Sequence, residues 1–171
     1  MSSVLFSPFA MRGVELANRI VVSPMCQYSS DHGNANDWHL MHLGQFAMGA
    51  AALVITEATH VSPVGRITHR CLGLYSDENE ATLKRVIDFC RRSGVAKLGI
   101  QLAHAGRKAS MQRPWHGNGP LDDSDRARGE HVWQVVAPSA VPVDTGWCRT
   151  SSRSTRSPSK RNTGRPPRRV R

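Results

Sequence analysis

Val21-Val22-Ser23-Pro24-Met25-Cys26-Gln27-Tyr28 is a β-branched run stopped by a proline and followed by small and polar residues. Proline has no N–H to give to a β ladder and biases the residue before it toward extended geometry. The stretch therefore reads as a short buried strand, Arg19 to Ser23, that closes at Ser23-Pro24 and releases Met25, Cys26 and Tyr28 at its C-terminal lip. That lip is where α/β proteins place their sites.

The same pattern returns twice downstream. Asp37 reads as the N-cap of a helix from Trp38 to about Met48, with Leu40, Leu43, Phe46 and Ala47 as its apolar stripe and Gly49 as its stop. Ala52 to Thr56 is then a second buried strand, ending in Glu57-Ala58-Thr59. Asp77 reads as the cap of a second helix, with Glu80 at the capping-box position, Leu83, Val86, Ile87 and Cys90 inside, Arg91 and Arg92 in the last turn and Gly94 beyond. Lys97 to Leu102 is the third strand, with Leu98, Ile100 and Leu102 on one face and Gly99 and Gln101 on the other, so that Gln101 points inward in a barrel. Strand, helix, strand, helix, strand at this spacing means βαβ units and a parallel sheet. Upstream, residues 5 to 18 read as a hairpin covering one end of it.

Composition sets bounds on this α/β reading. The chain has 171 residues, 39% of them apolar, which is enough for one core but short of the roughly 250 residues of a closed (β/α)8 barrel. No basic-then-apolar leader opens it and no apolar run reaches the ~20 residues of a membrane span, so a cytoplasmic location without membrane contact is expected. Cys26, Cys71, Cys90 and Cys148 form no Cys-x-x-Cys pair, which fits a reducing compartment. The net charge of +10 is concentrated: residues 151 to 171 hold eight Lys/Arg and no acid, leaving the rest at +2. That Ser/Arg/Pro-rich tail, counted from residue 148, carries too little apolar surface to fold and is expected to be disordered.

Several segments in one order carry a family resemblance: Asn18-Arg19-Ile20-Val21-Val22-Ser23-Pro24-Met25-Cys26-Gln27-Tyr28, Thr56-Glu57-Ala58, Gly65-Arg66-Ile67, Gln101-Leu102-Ala103-His104-Ala105-Gly106-Arg107-Lys108 and Ala137-Pro138-Ser139-Ala140. From about Leu5 to about Gly146 the chain resembles the amino-terminal half of the old yellow enzyme family, NAD(P)H:flavin oxidoreductases and ene-reductases, in the bacterial branch that includes xenobiotic reductases. The resemblance implies that residues 1 to 147 are an incomplete TIM barrel with FMN across its C-terminal mouth and NADPH or NADH as reductant. By the same resemblance Ser23, Pro24, Met25 and Cys26 line the flavin, Cys26 tunes its potential, Tyr28 binds or orients the substrate, Ala58 offers a small surface to the ring, and Gln101 reads its pyrimidine edge.

Each role competes with a plainer one. A lone cysteine is commonly a buried structural thiol, a tyrosine a half-buried aromatic, and a strand amide one paired to backbone. For Cys26 and Gln101 the motif and the strand-end position favour the cofactor. His39 and His42, three apart on a helix, have no third ligand spaced to join them and read as solvated or partly packed, so no metal is expected.

The implied chemistry is hydride transfer to FMN from NAD(P)H and onward to an activated alkene of the enone class, a small-molecule substrate. The family's later substrate histidines, its basic residue near the flavin and the phosphate site after strands seven and eight have no counterpart here, and the text changes character near Trp147. The chain is therefore read as a truncated or frameshifted, inactive fragment with open apolar faces that favour self-association into a homo-oligomer. The alternative is a non-enzymatic binder of nucleic acid or an anionic surface through the basic tail; the tail lacks interleaved aromatics and the body lacks a basic face, which makes a nucleic-acid partner the weaker reading. Limited trypsin digestion should strip residues 149 to 171 first and leave the preceding body resistant; a protected tail would overturn the disorder reading.

Overall fold

The computed structural model describes residues 3–139 and 141–144. The expectations for the tail from residue 148 lie outside the described residues.

Two strands, β1 (Phe9–Met11) and β2 (Val14–Leu16), form the expected antiparallel hairpin, with Met11 opposite Val14. The two residues between them, Arg12 at φ 49° and Gly13 at φ 82°, are both left-handed, which matches the right-handed twist of the paired strands. The chain then enters β3 (Val21–Val22), crosses back through α1 (Asp37–Met48) to β4 (Leu53–His60), and through α2 (Asp77–Ser93) to β5 (Lys97–Ala103). The three strands are parallel in the order β3-β4-β5. A five-residue helix, α3 (Asp123–Ala127), sits in the long excursion after β5.

Three sequence expectations are corrected in detail. The strand expected over Arg19 to Ser23 is only two residues long, and Val21 is 47% exposed rather than buried, because β3 has a partner on one side only among the described residues. The second strand does not stop at Thr56. A β-bulge between Thr56 and Ala58 shifts its register on β5, and the strand runs on to His60, whose N–H donates to the Leu72 carbonyl at 2.9 Å. The caps each fall one residue early: Asn36 (φ −134°, ψ −166°) and Ser76 (φ −147°, ψ 159°) are the extended residues whose side chains accept helix N–H groups. Asp37 and Asp77 occupy the first helical position, where their charge meets the positive end of the helix dipole, and the N3 position in α2 is Asn79, not Glu80.

One core holds the unit together. Leu43 and Ala47 of α1 pack with Leu83, Val86 and Cys90 of α2 and with Val54 of β4, and Leu72 closes the layer from the loop beyond β4. Leu40, Phe46, Ile87 and Leu98, all foreseen as apolar positions, pack around this centre half-buried. Where α2 ends, Gly94 lies against the end of α1: a Cβ built there would stand 2.3 Å from the Ala47 carbonyl oxygen, which accepts the Val95 N–H at 3.2 Å. Neither backbone can retreat without losing that bond. Gly94→Ala should therefore destabilise the chain by about 1–3 kcal/mol. Val95→Ala, at a side chain 83% exposed, should stay within about 0.5 kcal/mol. Thermal melting of both variants checks the contrast, and equal midpoints would show that the helix ends are not in close contact.

Candidate functional site at the strand ends

The segment leaving β3 is held by short hydrogen bonds rather than by a ladder. Glu57, just inside the bulge of β4, accepts the Gln27 backbone N–H on Oε2 at 3.0 Å. The Gln27 carbonyl accepts the Ser29 hydroxyl at 2.9 Å; its side-chain amide donates to the Met25 carbonyl at 2.8 Å and accepts from Trp38 Nε1 at 3.1 Å. Asn36, the cap of α1, donates to the Ser29 carbonyl at 2.7 Å, and the Ser30 hydroxyl donates to the Cys71 carbonyl at 2.6 Å. Within this frame Tyr28 takes φ 49°, the left-handed region that an aromatic residue rarely adopts and that costs on the order of 1–2 kcal/mol.

The result is a compact thiol–phenol pair. Cys26 and Tyr28 are both half-buried, and the Tyr28 hydroxyl and the Ala58 N–H are near enough to the Cys26 sulfur to favour its thiolate. Burial first, and then the nearby Glu57 charge, push the Cys26 thiol above its ordinary range. Burial first, and then Cys26, push the Tyr28 phenol up to about 12. Both groups are therefore neutral near pH 7, a hydroxyl and a thiol rather than anions. Trp115, from the excursion after β5, stands edge-on to Tyr28 with ring centroids 5.8 Å apart. The Arg113 guanidinium lies 5.6 Å over Trp115 and is paired to the buried Glu130 at 3.0 Å, which ties the excursion down beside the pair.

The other singled-out residues share this end of the sheet. Ala58 is buried and is the register partner of Gln101, which is exposed. Ser23 and Met25 are exposed on the lip after β3, with Pro24 half-buried between them. Cys26, Tyr28 and Ala58 thus form one contact cluster, Gln101 is their neighbour across the β4–β5 ladder, and Ser23, Pro24 and Met25 lead into it.

Two residues that matter here escaped the sequence reading. His39 was expected to be solvated or partly packed, but it is 1% exposed: its Nδ1 accepts the Asn36 N–H at 3.1 Å and its Nε2 stands 3.3 Å from Glu57 Oε1, close but not aligned for a linear hydrogen bond. Glu57 was quoted only as part of a motif; it is 4% exposed. The available signal was a carboxylate directly after an apolar parallel strand, since an acid in that position has to find a partner. His42 is half-buried and edge-on to Phe46, and no group of three metal-capable side chains exists among the described residues.

A short parallel β/α sheet with polar and small residues gathered at the C-terminal strand ends is the arrangement on which α/β proteins, barrels and open sheets alike, build their sites. The model of the NADH:flavin oxidoreductase / NADH oxidase family matches residues 4–142, and the chain belongs to that family. An NADPH dehydrogenase of Bacillus cytotoxicus is 47% identical over 146 residues, 84% of this chain and 36% of the relative. One of a Geobacillus species is 42% identical over 144 residues, 83% of this chain and 36% of the relative. Morphinone reductase superposes with a TM-score of 0.64 at 27% identity over 82% of this chain and 33% of that one. The chain spans about a third of the length of these relatives, and its fold matches that share of the old yellow enzyme (β/α)8 barrel. FMN and a nicotinamide reductant are what the family description and the relatives' names imply, and one matched structure is morphinone reductase in complex with tetrahydroNAD. No helix among the described residues is long and apolar enough to cross a membrane.

His60, at the end of β4, is fully buried with Nδ1 against the Leu72 carbonyl at 3.0 Å and Nε2 unpaired. Burial pushes its pKa below the ordinary value, so the folded chain holds it neutral. His42 and His69 shift the same way, also first through burial. The unfolded state then binds more protons below about pH 6.5. Stability should be flat above about pH 6.5 and fall as pH drops toward the lower folded pKa. Denaturant midpoints between pH 5 and 8 should show this slope, reduced in His60→Gln, whose amide can still donate to Leu72 without titrating; an unchanged slope would place the effect elsewhere.

Proposed function

We propose that this chain carries the first-strand share of an FMN site in an NAD(P)H oxidoreductase of the old yellow enzyme type, acting on activated alkenes of the enone class. The observation that supports it is the Cys26–Tyr28–Ala58 cluster at the C-terminal ends of β3 and β4, with Gln101 in register beside it. These residues fit the ring of such a cofactor: Ala58 offers a methyl-sized surface, Gln101 an exposed amide with donors and an acceptor, and Cys26 a neutral polarizable sulfur. The chemistry the cofactor supplies when bound is hydride acceptance from NAD(P)H and hydride delivery to the β-carbon of the alkene.

The chain's own part is orientation and proton control. Tyr28, a phenol that burial pushes up to about 12 and so keeps protonated, donates a hydrogen bond to a substrate acceptor without competing as a base. Cys26, held as a thiol, is polarizable but a weak nucleophile, which disfavours a thiol-hydrolase reading. Ser23, Pro24 and Met25 bring main-chain groups to the same lip.

Alone, this chain should bind FMN weakly and leave cyclohexenone unreduced by NADPH, since half-assembled sites lack preorganisation. A chimera joining residues 1–142 to the remaining two thirds of the Bacillus cytotoxicus relative should bind FMN and reduce cyclohexenone, and Cys26→Ala in it should shift the flavin midpoint potential. Flavin absorbance, spectroelectrochemistry and an NADPH assay check this. An unchanged potential removes Cys26 from the site, and a colourless, well-folded chimera overturns the FMN reading.

A further inference from the structure

Among the described residues the segment carrying Cys26 and Tyr28 has no ladder partner of its own, yet it holds an aromatic residue at φ 49°. Something must keep it there. The backbone N–H immediately before Tyr28 belongs to Gln27, and it donates to Glu57 Oε2 at 3.0 Å. The other oxygen of that carboxylate faces His39 Nε2 at 3.3 Å, and the two side chains are 4% and 1% exposed. His39 is in turn set by the start of α1: its Nδ1 lies 3.1 Å from the Asn36 backbone nitrogen and 3.0 Å from the Asn36 Oδ1, which orients the ring so that Nε2 faces the carboxylate.

We propose that Glu57, backed by His39, is a positioning residue of this site: it clamps the Gln27 backbone and thereby sets where Tyr28 and the Cys26 thiol stand. The inference rests on the reading of Cys26 and Tyr28 as site groups, and its test needs no flavin. Three elements meet at this carboxylate: the loop through Gln27, α1 through His39 and β4 through Glu57 itself. A change there is transmitted to the thiol by geometry and by charge. The titratable groups around Cys26 are Glu57 from β4, Tyr28 from its own loop and Cys71 from the loop beyond β4.

The position of the clamp also bears on the thiol, after burial itself. Glu57 stands near a half-buried thiol, and its carboxylate disfavours the thiolate there. The Ala58 N–H, one residue further along β4, favours it. Both residues sit at the register shift after Thr56.

The experiment is peptide-resolved mass spectrometry of iodoacetamide alkylation as a function of pH on the 171-residue chain, comparing wild type, Glu57→Gln, Glu57→Ala and His39→Gln. Cys71 and Cys90, both buried, are the internal report on global folding. In Glu57→Gln the alkylation midpoint of Cys26 should move to lower pH and its rate near neutral pH should rise about 3- to 10-fold, because the charge is gone while an amide oxygen can still accept from Gln27. Glu57→Ala should raise the rate further by freeing the loop, and His39→Gln should fall between wild type and Glu57→Ala, with Cys71 and Cys90 unreactive throughout. Cys26 profiles superimposable on wild type in Glu57→Gln and Glu57→Ala would overturn the proposal. So would parallel exposure of all three thiols in every variant, which would make Glu57 a general stability residue. Failure of the chimera to bind FMN would remove the flavin reading while leaving this clamp intact.

Discussion

The Glu57 carboxylate sits where a parallel strand would ordinarily be apolar, and it is nearly out of reach of water. A charge in that position is tolerated only if other groups take over from solvent, and here a backbone N–H and a histidine do so. Leaving a buried acceptor or donor without its partner typically costs about 1–3 kcal/mol. That is comparable to the on the order of 1–2 kcal/mol needed to hold Tyr28 in the left-handed region. The proposed clamp is thus of the size needed to hold the strained loop. The β-bulge belongs to the same arrangement, since it inserts Glu57 without pushing Ala58 out of register with Gln101.

The clamp depends on the placement of α1, which is a matter of packing. His39 lies on the face of α1 that also presents Leu43 and Ala47 to the core, so the helix that buries the apolar stripe delivers the imidazole to the carboxylate. Asn36 serves twice: its side chain caps the helix and bonds the Ser29 carbonyl, while its N–H fixes the ring of His39. At the other end of the same helix, contact between Ala47 and Gly94 sets the spacing to α2 and so the crossover into β5. Core packing and site geometry are thus two consequences of one helix position.

The excursion after β5 adds a second wall. Arg113 paired to Glu130 and the hydrogen bonds of Gln112 to Asp122 and Asp125 hold residues 109 to 130 without a strand, and they leave Trp115 standing edge-on to Tyr28. Sequence pattern offered no handle on this region beyond its glycines, prolines and acids. Its order comes from side-chain ion pairs and amide bonds whose partners are ten or more residues apart.

What the sequence determined by itself was local or repetitive. The positions of α1, α2 and β5 followed from apolar spacing and from glycines at the helix ends, and the hairpin from a turn that Gly13 permits. The parallel sheet followed from the alternation of these elements, and the family from several short motifs in order. Only the tertiary structure decided which residue caps each helix, because a cap is defined by an extended backbone next to the first turn and Asn36-Asp37 and Ser76-Asp77 both offer two candidates. It alone showed that β4 continues through a bulge, that Val21 lies on a one-sided strand, and that His39 is buried against Glu57. A histidine's environment and a carboxylate's partner are set by what folds over them from elsewhere in the chain, and neither periodicity nor composition carries that information.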